Sequence, residues 1–409
     1  MGLTSTAFFV VTLLLLVAAP AAMAAGWNRI PGPAAVRYGG RAVLAVIAQA
    51  AAVLAVLVWV NDSYGLYDNW GDLLGSDSGP VRFTSGSDVR GLPPGAPVHP
   101  LGFKRSSQGV LTARATGRRS GITGDVLVWL PPQYTDPAYR TTRFPVVELL
   151  PGYPGTPRAW FSAMAVQKQV GSMIAEHRAR PMILVAAKMN VLGNRDPGCA
   201  DLPGGSRTAT WLGADVPELV AGNFRTAPGP RQWSVMGYSA GGYCAVNLAL
   251  HYPQVFHSAV SLSGYNAPIA RVVTRDAAVA RANNLYRELH DARPQPPVAL
   301  LMAGSYQDTG TVPDAVALLG ALHDPGESGL LTVSAGGHNT RVWRRMLPAA
   351  FTWISTETAP RRPAPGRVPR RPAPVPGRGG GPGGGRTGSG GGGPPEGGHG
   401  GGHLGAGPG

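Results

Sequence analysis

Residues 233–245, Trp-Ser-Val-Met-Gly-Tyr-Ser-Ala-Gly-Gly-Tyr-Cys-Ala, constrain this chain more than any other stretch. A short apolar run, small residues around one serine, and apolar positions at helical spacing follow without a break. They predict strand, sharp turn and helix in that order. Gly237-Tyr238-Ser239-Ala240-Gly241 fits G-x-S-x-G, where small residues leave room for a strained turn that lifts one hydroxyl to the top of a sheet. Ser239 is therefore the expected nucleophile. The bare pattern arises by chance in a chain with 59 glycines, so its surroundings decide. Residues 232–236 are β-prone, and 242–252 carry Tyr243, Val246, Leu248 and Leu250 at helical spacing.

The same alternation runs through the middle of the chain. Apolar stretches at 144–150, interrupted only by Glu148, and at 181–187, 233–236, 258–263, 298–303 and 330–334 read as strands buried on both faces. Between them, helical patterns occupy 151–180, 278–293, 314–323 and 340–354. Such an order predicts an α/β fold with a mostly parallel central sheet and helices on both faces. Residues 109–116 and 124–130, joined by the polar Gly117-Arg-Arg-Ser-Gly turn, predict an antiparallel entry hairpin. Of 409 residues, about 260 have the composition of a folded core, enough for one catalytic domain over 108–357.

The two ends are different in kind. Residues 1–26 contain no charged side chain and are almost wholly apolar from 7 to 19. That length suits a membrane span, or a signal peptide ending at Ala22-Met23-Ala24, although a signal peptide's basic start is missing. A second apolar run, 42–60, reads as a span. Arg29, Arg37 and Arg41 lie between the runs without an acid, whereas Asp62, Asp68, Asp72 and Asp77 follow the second run without a base. Basic flanks stay in the cytoplasm, which predicts two transmembrane helices over 1–61 and a catalytic domain outside the cell. Trp59, Tyr64, Tyr67 and Trp70 fall where the outer interface would be. Residues 62–107, rich in Gly, Ser, Asp and Pro, predict an extracellular stalk, and 358–409, rich in Pro, Gly and Arg, a disordered tail.

The formal charge of +14 raises nucleic-acid binding, but its placement argues against it. Seven arginines from Arg361 onward, opposed only by Glu396, put a net +6 in the tail, without interleaved aromatics. Two cysteines, Cys199 and Cys244, are too few for a disulfide scaffold or a zinc ribbon; they either pair with each other or stay as two buried thiols. No metal or cofactor is expected. His399 and His403 have i, i+4 spacing, but in Gly-rich sequence that spacing implies no common face.

A serine hydroxyl needs a base that removes its proton, and the base needs an orienting acid. In this kind of fold the chain order is Ser, Asp or Glu, then His, each on a loop after a strand. The strand at 298–303 opens into Gly304-Ser305-Tyr306-Gln307-Asp308, and that at 330–334 into Ala335-Gly336-Gly337-His338-Asn339. Asp308 and His338 are thus the expected acid and base, ahead of Asp314 at a helix start and of His290 and His323 in or near helices. The oxyanion hole should use the N–H of Ala240 and one from the loop Pro151-Gly152-Tyr153-Pro154-Gly155. Both prolines lack an N–H, so Tyr153 is the expected donor, with Gly152 permitting close approach; the bland reading is a plain Pro-Gly turn.

From about residue 109 to 354 the chain resembles the esterase D and mycolyltransferase superfamily of α/β-hydrolases, in its membrane-anchored actinobacterial branch. The resemblance rests on 61–75, with Tyr-Gly-Leu-Tyr and Trp-Gly-Asp-Leu-Leu-Gly, on 149–155, on 211–219 with Asp215-Val216-Pro217, on the Ser239 elbow, and on Gly336-Gly337-His338-Asn339 with Trp343. It implies a serine carboxylester hydrolase or acyltransferase with Ser239, Asp308 and His338 as triad. Where many members carry His-Gly or Asp-Gly at the oxyanion loop, this chain has Pro151-Gly152. Asp215 is expected to cap or hold its own helix. The expected substrate is an acyl ester, with water or a cell-envelope alcohol or sugar as acceptor. The competing reading is a catalytically silent ectodomain that binds envelope glycans or a partner protein.

Overall fold

The computed structural model describes residues 5–64, 70, 101–106, 109–193 and 195–360. Most of the predicted stalk, including Tyr67, and the tail from 361 with its arginines, His399 and His403, lie outside the described residues.

Two helices come first, α1 (Thr6–Gly26) and α2 (Ala34–Tyr64), of 21 and 31 residues. At ~1.5 Å per residue each is long enough to cross a ~30 Å hydrocarbon layer. Both are apolar enough to do so, and a signal sequence would satisfy the same criterion. The basic residues are not all in a connecting loop. Arg37 and Arg41 belong to the first turns of α2, and Arg41 donates back to the Trp27 carbonyl at 2.9 Å.

The remaining elements form a nine-stranded sheet in the order β1-β2-β3-β5-β4-β6-β7-β8-β9. The strands are β1 (Lys104–Arg105), β2 (Leu111–Thr116), β3 (Thr123–Trp129), β4 (Val146–Leu150), β5 (Ile183–Ala187), β6 (Trp233–Tyr238), β7 (Ser258–Leu262), β8 (Ala299–Ser305) and β9 (Gly329–Val333). The first three run antiparallel, and the six from β5 to β9 are mutually parallel. Alternate side chains explain the apolar runs. Val146, Leu150, Ile183, Val185 and Val235 enter one core layer; Val147, Leu149, Leu184 and Met236 enter the other. Helices α3 (Val166–Ala175) and α9 (Thr340–Glu357) cover the second layer, while α4 (Val216–Asn223), α5 (Ala240–His251), α7 (Leu285–Asp291) and α8 (Thr311–Gly320) cover the first.

Several boundaries differ from the pattern-based expectation. Phe144 precedes the strand rather than starting it, because Pro145 has no N–H; Phe144 bridges Thr226 instead. The stretch 151–180 holds only a 3₁₀ turn, Pro157–Trp160, and α3. The single helix expected over 278–293 is two, α6 (Ala277–Ala282) and α7, because Asn284 caps a new start by accepting from the Arg287 N–H at 3.0 Å. Asp215 does not cap its own helix. Its two carboxylate oxygens accept from the N–H groups of Arg119 and Ser120, each at 2.9 Å, and so hold the turn of the entry hairpin.

Glu148 stays in β4, opposite Val185 and Val235, 0 % exposed, and neither oxygen has a partner among the described residues. Burial pushes its carboxyl well above the ordinary value of 4.5, so the folded protein keeps a proton that the unfolded chain releases. Stability is then full below about pH 4.5 and falls as pH rises towards the folded value, by up to ~1.4 kcal/mol per pH unit. Glu148→Gln removes that dependence. Urea unfolding at pH 5, 7 and 9 should find the variant's advantage growing with pH; a constant difference would contradict it.

Candidate active site

The six parallel strands point their carboxyl ends to one rim, and the loops that leave that rim carry the site. At β4 the strand order reverses, with β5 on one side and β6 on the other, the position at which open α/β sheets bind their ligands. Ser239 sits there, between β6 and α5, with φ 55° and ψ −124°, a conformation that side-chain-bearing residues rarely adopt. Its surroundings hold it. The Ser239 N–H donates to the Leu262 carbonyl at 2.9 Å, and its carbonyl accepts from Gly242 and Tyr243 at 2.9 and 3.1 Å. The motif's glycines are required by close backbone packing. A Cβ at Gly237 would lie 2.0 Å from the Gly241 oxygen, and one at Gly241 would lie 2.2 Å from that of Leu150.

His338 and Asp308 come from the loops after β9 and β8. His338 Nε2 is 2.8 Å from Ser239 Oγ, and its Nδ1 is 2.8 Å from Asp308 Oδ2. A carboxylate accepts only, so Nδ1 carries the proton and Nε2 is left to accept from the serine hydroxyl. Asp308 is 9 % exposed, whereas the imidazole is 44 % exposed and reachable by substrate. The two loops are tied together. Ser305 Oγ donates to the Gly336 carbonyl at 2.5 Å, and the Gly336 N–H donates to Gln307 Oε1 at 2.8 Å. Trp343 meets the imidazole edge-on at 4.9 Å and stacks on Tyr238 at 4.6 Å, joining His338 to β6.

The competing residues stand elsewhere. His290 stacks on Tyr286 and pairs with Asp291, both on the surface. The backbone N–H of His323 donates to Gln295, and Asp314 lies in the first turn of α8.

The loop 151–155 presses on Ser239, since a Cβ at Gly152 would lie 3.2 Å from Ser239 Cβ. Ala240 opens α5, so its N–H belongs to the first turn, whose donors have no intrahelical acceptor and carry the positive end of the helix dipole. Asn190, a residue that sequence reasoning missed, donates from one amide nitrogen to the carbonyls of Gly152 at 3.1 Å and Gly155 at 2.5 Å. Its segment ends at Cys199, which is disulfide-bonded to Cys244 of α5 with Cα atoms 5.4 Å apart. Asn247 Nδ2 also donates to the Cys199 carbonyl, at 3.0 Å.

Among the described residues, one group brings metal-type ligands together: His257, Glu327 and Glu357. His257 Nε2 lies 3.1 Å from Glu327 and 3.7 Å from Glu357, and Arg231 donates to both Glu327 oxygens. With the Arg231 guanidinium already on the Glu327 carboxylate, the group is a polar network at the strands' amino-terminal ends, away from Ser239.

A mostly parallel sheet covered by helices, with a serine on the strand-to-helix elbow, defines an α/β-hydrolase. Residues 121–354, more than half of the chain, match the family model described as "Putative esterase", and the protein belongs to that family. An uncharacterized protein of Corynebacterium glutamicum is 28 % identical over 250 residues, which cover 56 % of this chain and 57 % of the relative. The chain thus spans just over half the length of the curated relative it matches. Among solved structures, a ferulic acid esterase aligns with TM-score 0.53 and 18 % identity, over 61 % of this chain and 98 % of its own. An S-formylglutathione hydrolase from Agrobacterium tumefaciens aligns with TM-score 0.51 and 16 % identity, over 64 % and 100 %. At these identities the likeness is one of fold.

Proposed function

We propose that the protein is a membrane-anchored serine esterase or acyltransferase that works outside the cytoplasm on carboxylic esters through an acyl-enzyme. The observation that carries this is the continuous relay from Asp308 through His338 to Ser239, at 2.8 Å in each step. Ser239 Oγ attacks the ester carbonyl while His338 Nε2 takes its proton, and Asp308 stabilises the imidazolium. The tetrahedral oxyanion is held by the N–H groups of Ala240 and Tyr153, each donor contributing ~3 kcal/mol. His338 then protonates the leaving alkoxide. Water, or an alcohol bound in its place, gives its proton to the same nitrogen, attacks the acyl-enzyme and releases Ser239.

The assigned regions are an anchor at 1–61, a stalk at 62–107, a catalytic domain at 108–357 and a tail at 358–409. The excess of arginine before α2's apolar run, and of aspartate after it, favours a catalytic domain outside the membrane. The Cys199–Cys244 disulfide supports the same side, since such bonds persist in oxidising compartments. Hydrolysis and transfer share every step up to the acyl-enzyme, so the acceptor separates them, with a cell-envelope alcohol or sugar as the transferase's second substrate. The intact relay weighs against a silent ectodomain that only binds glycans or a partner.

The test is to treat the detergent-solubilised full chain with a fluorophosphonate probe, and separately with p-nitrophenyl esters of rising acyl length, with and without a sugar acceptor. Covalent labelling of Ser239 and ester turnover are expected. A product ratio in favour of the sugar ester assigns a transferase. A chain that neither labels nor turns over is a binding module.

A further inference from the structure

We infer that Asn190 is a positioning residue that aims the oxyanion donor of this site, an inference that rests on the esterase reading above. In the sheet, β4 lies between β5 and β6. The loop 151–155 after β4 therefore has Asn190, after β5, on one flank and Ser239, after β6, on the other. Asn190 Nδ2 spends both hydrogens on this loop, one on the Gly152 carbonyl and one on that of Gly155. Both partners only accept, so the amide must present its nitrogen to them. The Gly152–Tyr153 peptide is trans, and in a planar trans peptide the N–H points opposite to the C=O. Drawing the Gly152 oxygen towards the β5 flank turns the Tyr153 N–H towards the β6 flank, where Ser239 stands.

The side chain is placed for that task. Asn190 is 9 % exposed, and its Oδ1 makes no hydrogen bond among the described residues, so its directed interactions are the two donations to the loop. The segment that carries it is fixed on both sides. Upstream, the Lys188 N–H donates to the Asp125 carbonyl at 2.9 Å and the Lys188 carbonyl accepts from Trp211 Nε1 at 2.9 Å; downstream, Cys199 is bonded to the nucleophile helix. A loop with prolines at 151 and 154 has few N–H groups of its own with which to hold its shape, and the amide supplies the missing cross-brace.

The test compares Asn190→Ala and Asn190→Asp with wild type in the full-length enzyme, using p-nitrophenyl butyrate, with kcat counted per fluorophosphonate-labelled site. The aspartate keeps the size but turns a second set of acceptors on the carbonyls. Both variants should lose roughly 100-fold in kcat with KM within about threefold, because the donor acts on the oxyanion and not on the bound ester. A trifluoromethyl ketone that forms a tetrahedral adduct should weaken by the same factor as kcat/KM. A purely structural asparagine would lower the melting temperature and the labelled fraction while leaving kcat per labelled site and adduct affinity within twofold of wild type; that result overturns the inference while the esterase reading stands. Absence of labelling and turnover in wild type overturns both.

Discussion

Ser239→Ala should lower kcat towards p-nitrophenyl esters by on the order of a million-fold and abolish fluorophosphonate labelling, while the chain folds as before. In the proposed mechanism the loss is large because the hydroxyl is the atom that forms the acyl bond. The fold is spared for equally local reasons. Alanine keeps the Cβ, so the backbone strain at φ 55° is unchanged, and the hydrogen bonds that hold the elbow are made by the backbone N–H and carbonyl of residue 239. The hydroxyl's partner is His338 Nε2, on a side chain 44 % exposed, so water can take its place and no buried group is orphaned. Circular dichroism melts of the two proteins should coincide within about 2 °C, given how little surface mutations outside a packed core change stability. A variant that retains a tenth of the wild-type rate would mean that catalysis, if present, does not pass through this serine.

The residues of that relay were readable from sequence because each is marked locally. An apolar strand ends, small residues or glycines follow, and one chemically capable side chain stands in the opening: Ser239 after β6, Asp308 after β8, His338 after β9. Parallel strands then bring the three openings to one rim without further information. What sequence hides is whatever depends on a partner far along the chain. Asn190 reads as a polar residue between Met189 and Val191, and its partners Gly152 and Gly155 come 38 and 35 positions earlier. Asp215 looks like a helix-start aspartate, yet its carboxylate serves a turn 96 residues upstream. Cysteine spacing carries no pairing information, so bonded and free states were equally compatible with Cys199 and Cys244. The break between α6 and α7 escaped for the opposite reason. Apolar periodicity runs through Asn283 and Asn284, and only the capping bond of Asn284 interrupts it.

Asp308→Asn should reduce kcat by about 10,000-fold, the effect of the same replacement in other Ser-His-Asp sites. The asparagine fits the space and can still meet Nδ1, but it can do so by donating an N–H where the carboxylate accepted. The imidazole then takes the other tautomer, with its proton on Nε2, facing Ser239 Oγ as a donor rather than as a base. The negative charge proposed to stabilise the imidazolium is lost at the same time. Two features make this a test of Asp308 in particular. Its backbone is held independently of its carboxylate, since the Asp308 carbonyl accepts from Thr311 Oγ1 at 2.8 Å, so the loop should keep its course in the variant. The nearby acid Asp314 offers a control. It sits in the first turn of α8, where its backbone carbonyl accepts from Asn266, and Asp314→Asn should leave kcat within about twofold. Measured side by side, with KM unchanged in both, a large loss at 308 and none at 314 identifies the orienting acid; the reverse result would move that role along the chain and break the relay proposed for this rim.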